Sequence, residues 1–204
     1  MTERLNSLHI TRREFLKLIA EGAAALGLFK IISLIPSPAQ TNLVRPPGAV
    51  VEESFNALCV RCGICLEACP TKAIVLAGYE EGLEAANTPK IDAYSGPCEF
   101  YSGRCSREMK CSKYCPTSAL RLVNKGQVKM GTVELDQSKC LAFMGQECVV
   151  CKEKCPVPTA ITSINRRPVF HGEQCVGCGT CVYYCPASPK ALTLKATGVR
   201  RVSA

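Results

Sequence analysis

The sequence predicts a small α+β fold organised by its cysteines rather than by a large apolar core. Three observations point there. The 204 residues include 16 cysteines, near the density at which a cysteine-built framework is expected. Those cysteines fall into four groups of four, each closed by Cys-Pro. Short apolar runs follow each Cys-Pro and read as strand starts. Tryptophan is absent and Phe and Tyr number six each, so the 47% apolar content rests on Val, Ile, Leu, Ala and cysteine.

The elements follow in chain order. Thr11-Arg12-Arg13-Glu14-Phe15-Leu16-Lys17 precedes a mildly apolar stretch, Leu18 to Ile35, and then Pro36-Ser37-Pro38-Ala39. A basic pair, an apolar middle and small residues at the end resemble a twin-arginine export signal over residues 1–39, removed after Ala39. Glu21 and Lys30 interrupt the apolar stretch, whereas a spanning helix needs about 20 largely apolar residues. Residues 40–55 read as linker and lead-in, with Pro46-Pro47-Gly48 in a linker from Thr41 to Gly48. A short helix, Val51 to Leu58, then delivers the first cysteine loop into a cysteine-rich domain spanning 56–204.

Cys59, Cys62, Cys65 and Cys69 follow C-x2-C-x2-C-x3-C-P, and Cys175, Cys178, Cys181 and Cys185 repeat it. Both are complete matches to the bacterial ferredoxin signature. Cys98, Cys105, Cys111 and Cys115 give C-x6-C-x5-C-x3-C-P, and Cys140, Cys148, Cys151 and Cys155 give C-x7-C-x2-C-x3-C-P. Here the first gaps are stretched while the closing C-x3-C-P is kept. No cysteine is left over.

The spacing has a physical reason. Three thiolates from a tight loop face three corners of an iron–sulfur cube, and the fourth, carried away by its proline, ligates the other cluster of a pair. Four tetrads therefore predict two pairs and four [4Fe–4S] clusters, in a duplicated bacterial 2[4Fe–4S] ferredoxin-like fold. Cysteines two residues apart in a tight loop are poorly placed to bridge each other, which argues against disulfides. Structural zinc favours two separated CxxC pairs, often with His, but three cysteines crowd each complete loop and the only histidines are His9 and His171. No CxxC is followed by His, which excludes c-type haem attachment.

Between and after the tetrads, Thr71–Leu76, Thr117–Leu122, Thr159–Ile164 and Lys190–Leu194 are expected to start strands, as are Val128–Leu135 and Pro168–His171 ahead of later loops. Tyr79 to Asn87 reads as a charged helical insertion on a solvated face. The tail, Lys195 to Arg201, reads as a solvated basic terminus.

Composition also excludes partners and chemistries. The formal net charge is +8, but each tetrathiolate [4Fe–4S] cluster carries roughly −2 when oxidised, so four contribute about −8. No nucleic-acid partner is expected. There is no Gly-rich nucleotide loop and no nucleophile–base set with free residues. The chain therefore reads as the electron-transfer component of an oxidoreductase, without a substrate site of its own. Signal and cysteines explain each other: twin-arginine export carries folded proteins, so clusters are inserted in the reducing cytoplasm before the chain leaves it.

The signal, Arg45-Pro46-Pro47-Gly48-Ala49-Val50, Ala57-Leu58-Cys59-Val60-Arg61-Cys62-Gly63, Pro97-Cys98-Glu99, Cys140-Leu141-Ala142-Phe143 and Cys175-Val176-Gly177-Cys178-Gly179-Thr180-Cys181 together resemble the NapG/MauM-type polyferredoxins along essentially the whole chain. The resemblance implies an exported periplasmic four-cluster protein. It would take electrons from a membrane-bound quinol-oxidising polyferredoxin and pass them to a periplasmic cytochrome or reductase, of the nitrate reductase or methylamine utilisation type, after passage through the Tat translocase. Two other readings stand beside it: an electron-transfer subunit bound directly to a molybdenum-type oxidoreductase, and a maturation factor with structural clusters. The second tetrad departs from the family's compact C-x2-C-x4-C-x3-C-P, and its longer, more basic loop reads as a tolerated insertion, because loop length costs little free energy.

Cluster pairing has two solutions, sequential or nested. The outer tetrads are both compact and the inner two both stretched. That likeness, with the nested order of related four-cluster subunits, favours nesting. Nesting places Cys59, Cys62 and Cys65 with Cys185, and Cys175, Cys178 and Cys181 with Cys69. It places Cys98, Cys105 and Cys111 with Cys155, and Cys140, Cys148 and Cys151 with Cys115.

Overall fold

Helices of four to seven residues cannot persist alone, so the short elements this sequence makes must be held by what surrounds them. The structure, a computed structural model, describes residues 13, 17, 43–105 and 108–203. The chain divides into the units Met1–Ala39 and Gln40–Ala204. Of the first, Arg13 and Lys17 are described, both helical; the rest of the expected export signal, Arg12 and the cleavage site included, lies outside the described residues. Among the described residues no helix is long and apolar enough to cross a membrane.

The second unit begins with α1 (Glu52–Leu58) and α2 (Ile64–Ala68), then β1 (Ile74–Leu76) and β2 (Pro89–Ile91). After α3 (Lys110–Lys113) come β3 (Thr132–Leu135), α4 (Val150–Lys154), β4 (Ile161–Ile164), β5 (Arg167–Phe170), α5 (Thr180–Tyr183) and β6 (Leu192–Lys195). Helices α2 to α5 each contain the third cysteine of a tetrad and end just before the fourth. The proline after that cysteine disfavours the helical region for it, and Cys69 and Cys155 are accordingly extended, at φ −76°, ψ 114° and φ −69°, ψ 122°. The expected helix over Tyr79–Asn87 does not form. A single 3-10 turn, Tyr79–Glu81, is followed by turns, and Ala85 and Ala86 are buried, with the Arg61 guanidinium donating to the Glu84 and Ala86 carbonyls.

Strand pairing follows one scheme twice. In residues 43–123, β1 pairs antiparallel with β2, Ile74 opposite Ile91, and Ala49, ahead of the first tetrad, bridges antiparallel to Leu120, behind the second. In residues 129–203, β4 pairs with β5, Ile161 opposite Phe170. There β3, ahead of the third tetrad, pairs with β6, behind the fourth, Leu135 opposite Leu192. In each half the intervening segment forms a hairpin and the outer segments close on each other, so the two cysteine helices of that half pack together: α2 on α3, and α4 on α5.

One sequence expectation is corrected here. The stretch read as a linker is core: Leu43, Val44, Arg45, Ala49 and Val50 are each at most 5% exposed. Arg45 is fully buried, its charge matched by a bidentate pair with Glu52, by bonds to Thr88 Oγ1 (2.6 Å) and the Pro89 carbonyl (2.9 Å), and by the Phe55 ring 4.5 Å beneath it. A linker composition was overridden because a guanidinium carries enough donors to be buried whole when every one is met. The tail is pinned through its backbone, while residues 197–200 stay exposed, as a solvated basic terminus requires. Val202 pairs parallel with Val50 and Arg200 antiparallel with Lys129, and the Arg200 guanidinium donates to the Gly126 carbonyl at 2.8 Å.

Candidate metal centres

The cysteine loops of the first and fourth tetrads share a backbone. In the first tetrad Arg61 and Gly63 take φ of 57° and 76°; in the fourth, Gly177 and Gly179 take 73° and 74°. Left-handed residues at these two positions curl the loop tightly, the backbone from which concave anion-binding turns are built. Gly177 admits no side chain, since an added Cβ would lie 2.4 Å from the Gly131 nitrogen.

None of the 16 cysteines is in a disulfide, and they gather in fours. Cys59, Cys62, Cys65 and Cys115 line one cavity, walled by Phe55, Ile64, Leu66 and Leu120. Cys69, Cys98, Cys105 and Cys111 line a second, with Ile74, Phe100 and Met109. Cys140, Cys148, Cys151 and Cys185 line a third, with Leu135, Leu141 and Leu192. Cys155, Cys175, Cys178 and Cys181 form the fourth set, close enough that their thiolates would repel one another. In this order they are the first, second, third and fourth sites.

Each set is three cysteines of one tetrad and the fourth cysteine of its neighbour in the same half. The nested expectation is thereby corrected. Cys185 lies with Cys140, Cys148 and Cys151 and not with the first tetrad, Cys69 lies with the second tetrad, Cys115 with the first, and Cys155 with the fourth. Loop length misled because pairing is set by strand closure: packing α2 on α3 brings the Cys-Pro end of each helix to the loop of the other. Cys98 and Cys105 both belong to the second site despite the stretched gap between them.

The donor sets fit an iron–sulfur group. Each is all sulfur, in apolar surroundings, and among the described residues no three His, Cys, Asp or Glu side chains come close enough to share one metal ion. Four sulfurs lining one apolar cavity are the donor chemistry that an iron–sulfur cluster takes. Burial, followed by the neighbouring Cys59, Cys115 and Cys62, pushes the Cys65 thiol up to about 11. Burial pushes Cys151 to about 11 and Cys111 to about 12, and raises Cys98 and Cys181 well above the ordinary thiol range. Thiols so placed give up their protons readily only to a cationic centre, which couples loading to folding.

The sequence reading missed the polar groups around the sulfurs. Glu99, in the stretched loop, is 4% exposed, lines the second site and pairs with Arg104 while accepting a bond from Ser102 at 2.6 Å. The Arg104 guanidinium is held above its ordinary value chiefly by its pairing with Glu99. Hydroxyls also approach sulfur: Thr71 on Cys69 at 3.6 Å, Thr117 on Cys115 at 3.8 Å and Thr180 on Cys178 at 3.3 Å. A Thr two residues beyond a ligating Cys is the signal that could have found them.

Comparison with known proteins places the chain among relatives. Residues 55–75 match the 4Fe-4S binding domain. The chain is 35% identical to the ferredoxin-type protein NapG of Escherichia coli, over 89% of this chain and 84% of the relative. It is 36% identical to the methylamine utilization ferredoxin-type protein MauM of Methylorubrum extorquens, over 89% and 87%, and 33% identical to that of Paracoccus denitrificans, over 86% and 83%. A chain of a solved formate dehydrogenase, heterodisulfide reductase and formylmethanofuran dehydrogenase complex from Methanospirillum hungatei aligns at 21% identity over 73% of this chain and 51% of that one, with a TM-score of 0.29, too low to bear on the fold. Cysteine sets shaped for iron–sulfur clusters and full-length relatives at this identity lead to one conclusion: the chain belongs to the NapG/MauM family of ferredoxin-type, iron–sulfur electron-transfer proteins.

Proposed function

We propose that the 16 cysteines hold four [4Fe–4S] clusters in two ferredoxin-like halves, and that the protein relays electrons outside the cytoplasmic membrane. Its donor would be a membrane-bound quinol-oxidising polyferredoxin, and its acceptor a periplasmic cytochrome or reductase of the nitrate reductase or methylamine utilisation type. The Tat translocase would export it already loaded, with residues 1–39 as the signal. Each cluster would supply reversible one-electron transfer at constant ligation. The chain's own residues supply the rest: four thiolates per site and apolar walls that keep water from the sulfurs.

One observation carries this reading, the unbroken series of fourfold sulfur sets. In the first half the Cys111 thiol feels Cys65 of the neighbouring site, and in the second Cys181 feels Cys151. Cys62 is exposed at one end of the series, beside exposed Val60 and Ile64, where an electron can enter or leave. At the other end Met144 and Val149 are exposed near Cys148. The deciding experiment is anaerobic purification of the exported protein, with iron and sulfide analysis and an EPR redox titration. About 16 iron and 16 sulfide per chain, reducible in the range of a quinol donor, is the expected result. Bound zinc without sulfide, or clusters that no physiological donor reduces, would defeat it. Replacing Arg12 and Arg13 by Lys should hold the loaded protein in the cytoplasm.

A further inference from the structure

The two halves meet at sulfur ligands. The Cys98 amide donates to the Cys178 carbonyl at 2.8 Å, so the backbones of two ligand residues are bonded across the halves. Cys98 belongs to the second site and Cys178 to the fourth. Together with the contacts inside each half, this orders the four sites in one line, with the second and fourth sites at its middle. Resting on the cluster reading above, an electron moving between halves passes this contact.

On the far side of that contact stands Thr180. It is 8% exposed and Cys178 is 7% exposed. Its hydroxyl lies 3.3 Å from the Cys178 sulfur, and among the described residues it has no other hydrogen-bond partner. The backbone fixes this aim, because Gly179, at φ 74° and ψ 1°, opens α5 with Thr180 as its first residue. The first tetrad has nearly the same backbone, Gly63 at φ 76° and ψ −5°, but carries Ile64 there. Lys110 and Val150 hold the matching place, immediately before the third cysteine, in the other two loops. The remaining hydroxyl contacts are weaker donors. Thr71 already donates to the Pro97 carbonyl at 2.7 Å, and Thr117 stands at 3.8 Å in a half-buried position.

We propose that Thr180 is a positioning residue for electron transfer, whose hydroxyl donates to the Cys178 sulfur and raises the reduction potential of the cluster at the junction of the halves. Reduction adds one electron and its negative charge to that site, with no bond made or broken and no proton moved. A donor aimed at a ligand sulfur in a dry site stabilises the more negative state. Thr180 thus favours the electron on the second-half side of the crossing.

The test is an EPR-monitored titration of anaerobic, fully loaded protein with dithionite as reductant, comparing wild type with Thr180→Val, Thr180→Ala and Thr180→Ser. Val preserves the shape and removes the donor, Ala removes it in a smaller side chain should Val disturb loading, and Ser restores it. The expected result is one titrating component displaced to lower potential in Val and Ala, held near wild type in Ser, with iron and sulfide unchanged and the other components in place. An unmoved titration in loaded Val or Ala protein overturns the assignment, as does a Ser variant displaced as far as Val. Wild type without iron and sulfide would instead defeat the cluster reading on which the assignment stands.

Discussion

Removing the Arg45 side chain should loosen the first site before any other. Arg45→Ala deletes a bidentate pair with Glu52, the bonds to Thr88 and Pro89, and the stack on Phe55. Both Phe55 and Pro89 wall the first site, so the loss is transmitted directly to the cavity of Cys59, Cys62, Cys65 and Cys115. Breaking a buried ion pair from one side costs about 3–5 kcal/mol. The Glu52 side chain is 30% exposed and recovers part of its hydration, which places the cost near the lower end, at about 3 kcal/mol. That corresponds to roughly a 100-fold increase in local opening. The assay is iron release to a chelator from anaerobic loaded protein at fixed sub-denaturing guanidinium, followed by absorbance and by iron left per chain. A fast phase carrying about a quarter of the iron is expected, with Arg45→Lys intermediate because it keeps the charge and loses the planar fork. Release no faster than wild type, or all iron leaving in one phase, would refute the argument that Arg45 acts locally on this site.

Cysteine replacement should report the corrected pairing: Cys115→Ala should lose the same EPR component as Cys65→Ala, and Cys185→Ala the same component as Cys151→Ala, whereas shared loss between Cys185→Ala and Cys65→Ala would restore nesting. Gly177→Ala should destabilise the fourth site by more than about 2 kcal/mol, through left-handed strain and the clash with Gly131, read as a lower guanidinium midpoint for iron loss. Deleting residues 200–204 removes three backbone hydrogen bonds, Arg200 to Lys129, Val202 to Ala49 and Val51 to Val202, at about 1 kcal/mol each. The truncated protein should then lose iron first from the half its tail no longer braces, and an unchanged release profile would contradict the docking of the tail.

Much of this protein is legible in its sequence because ligand chemistry is local. In the first and fourth tetrads three sulfurs within seven residues fix a loop, and the strands behind the first, third and fourth Cys-Pro follow from their apolar runs, whereas the run Thr117–Leu122 yields only the isolated bridge at Leu120. Chain composition misled where burial is non-local: Arg45-Pro46-Pro47-Gly48 has the makeup of a linker but is core, because Glu52, Thr88 and Pro89 arrive from elsewhere to meet the guanidinium. Residues 79–87 carry helical composition, yet Ala85 and Ala86 are taken into the core by turns.

What the sequence determined by itself is the donor set and the family, since both are written in residue identity and spacing. Only the tertiary structure decided which cysteine completes which site, that Thr180 faces a sulfur, and that Cys98 touches Cys178 across the halves. Each of these depends on strands that close segments about 60 to 70 residues apart, Ala49 on Leu120 and Leu135 on Leu192, and such closure leaves no mark in the spacing of the cysteines it brings together.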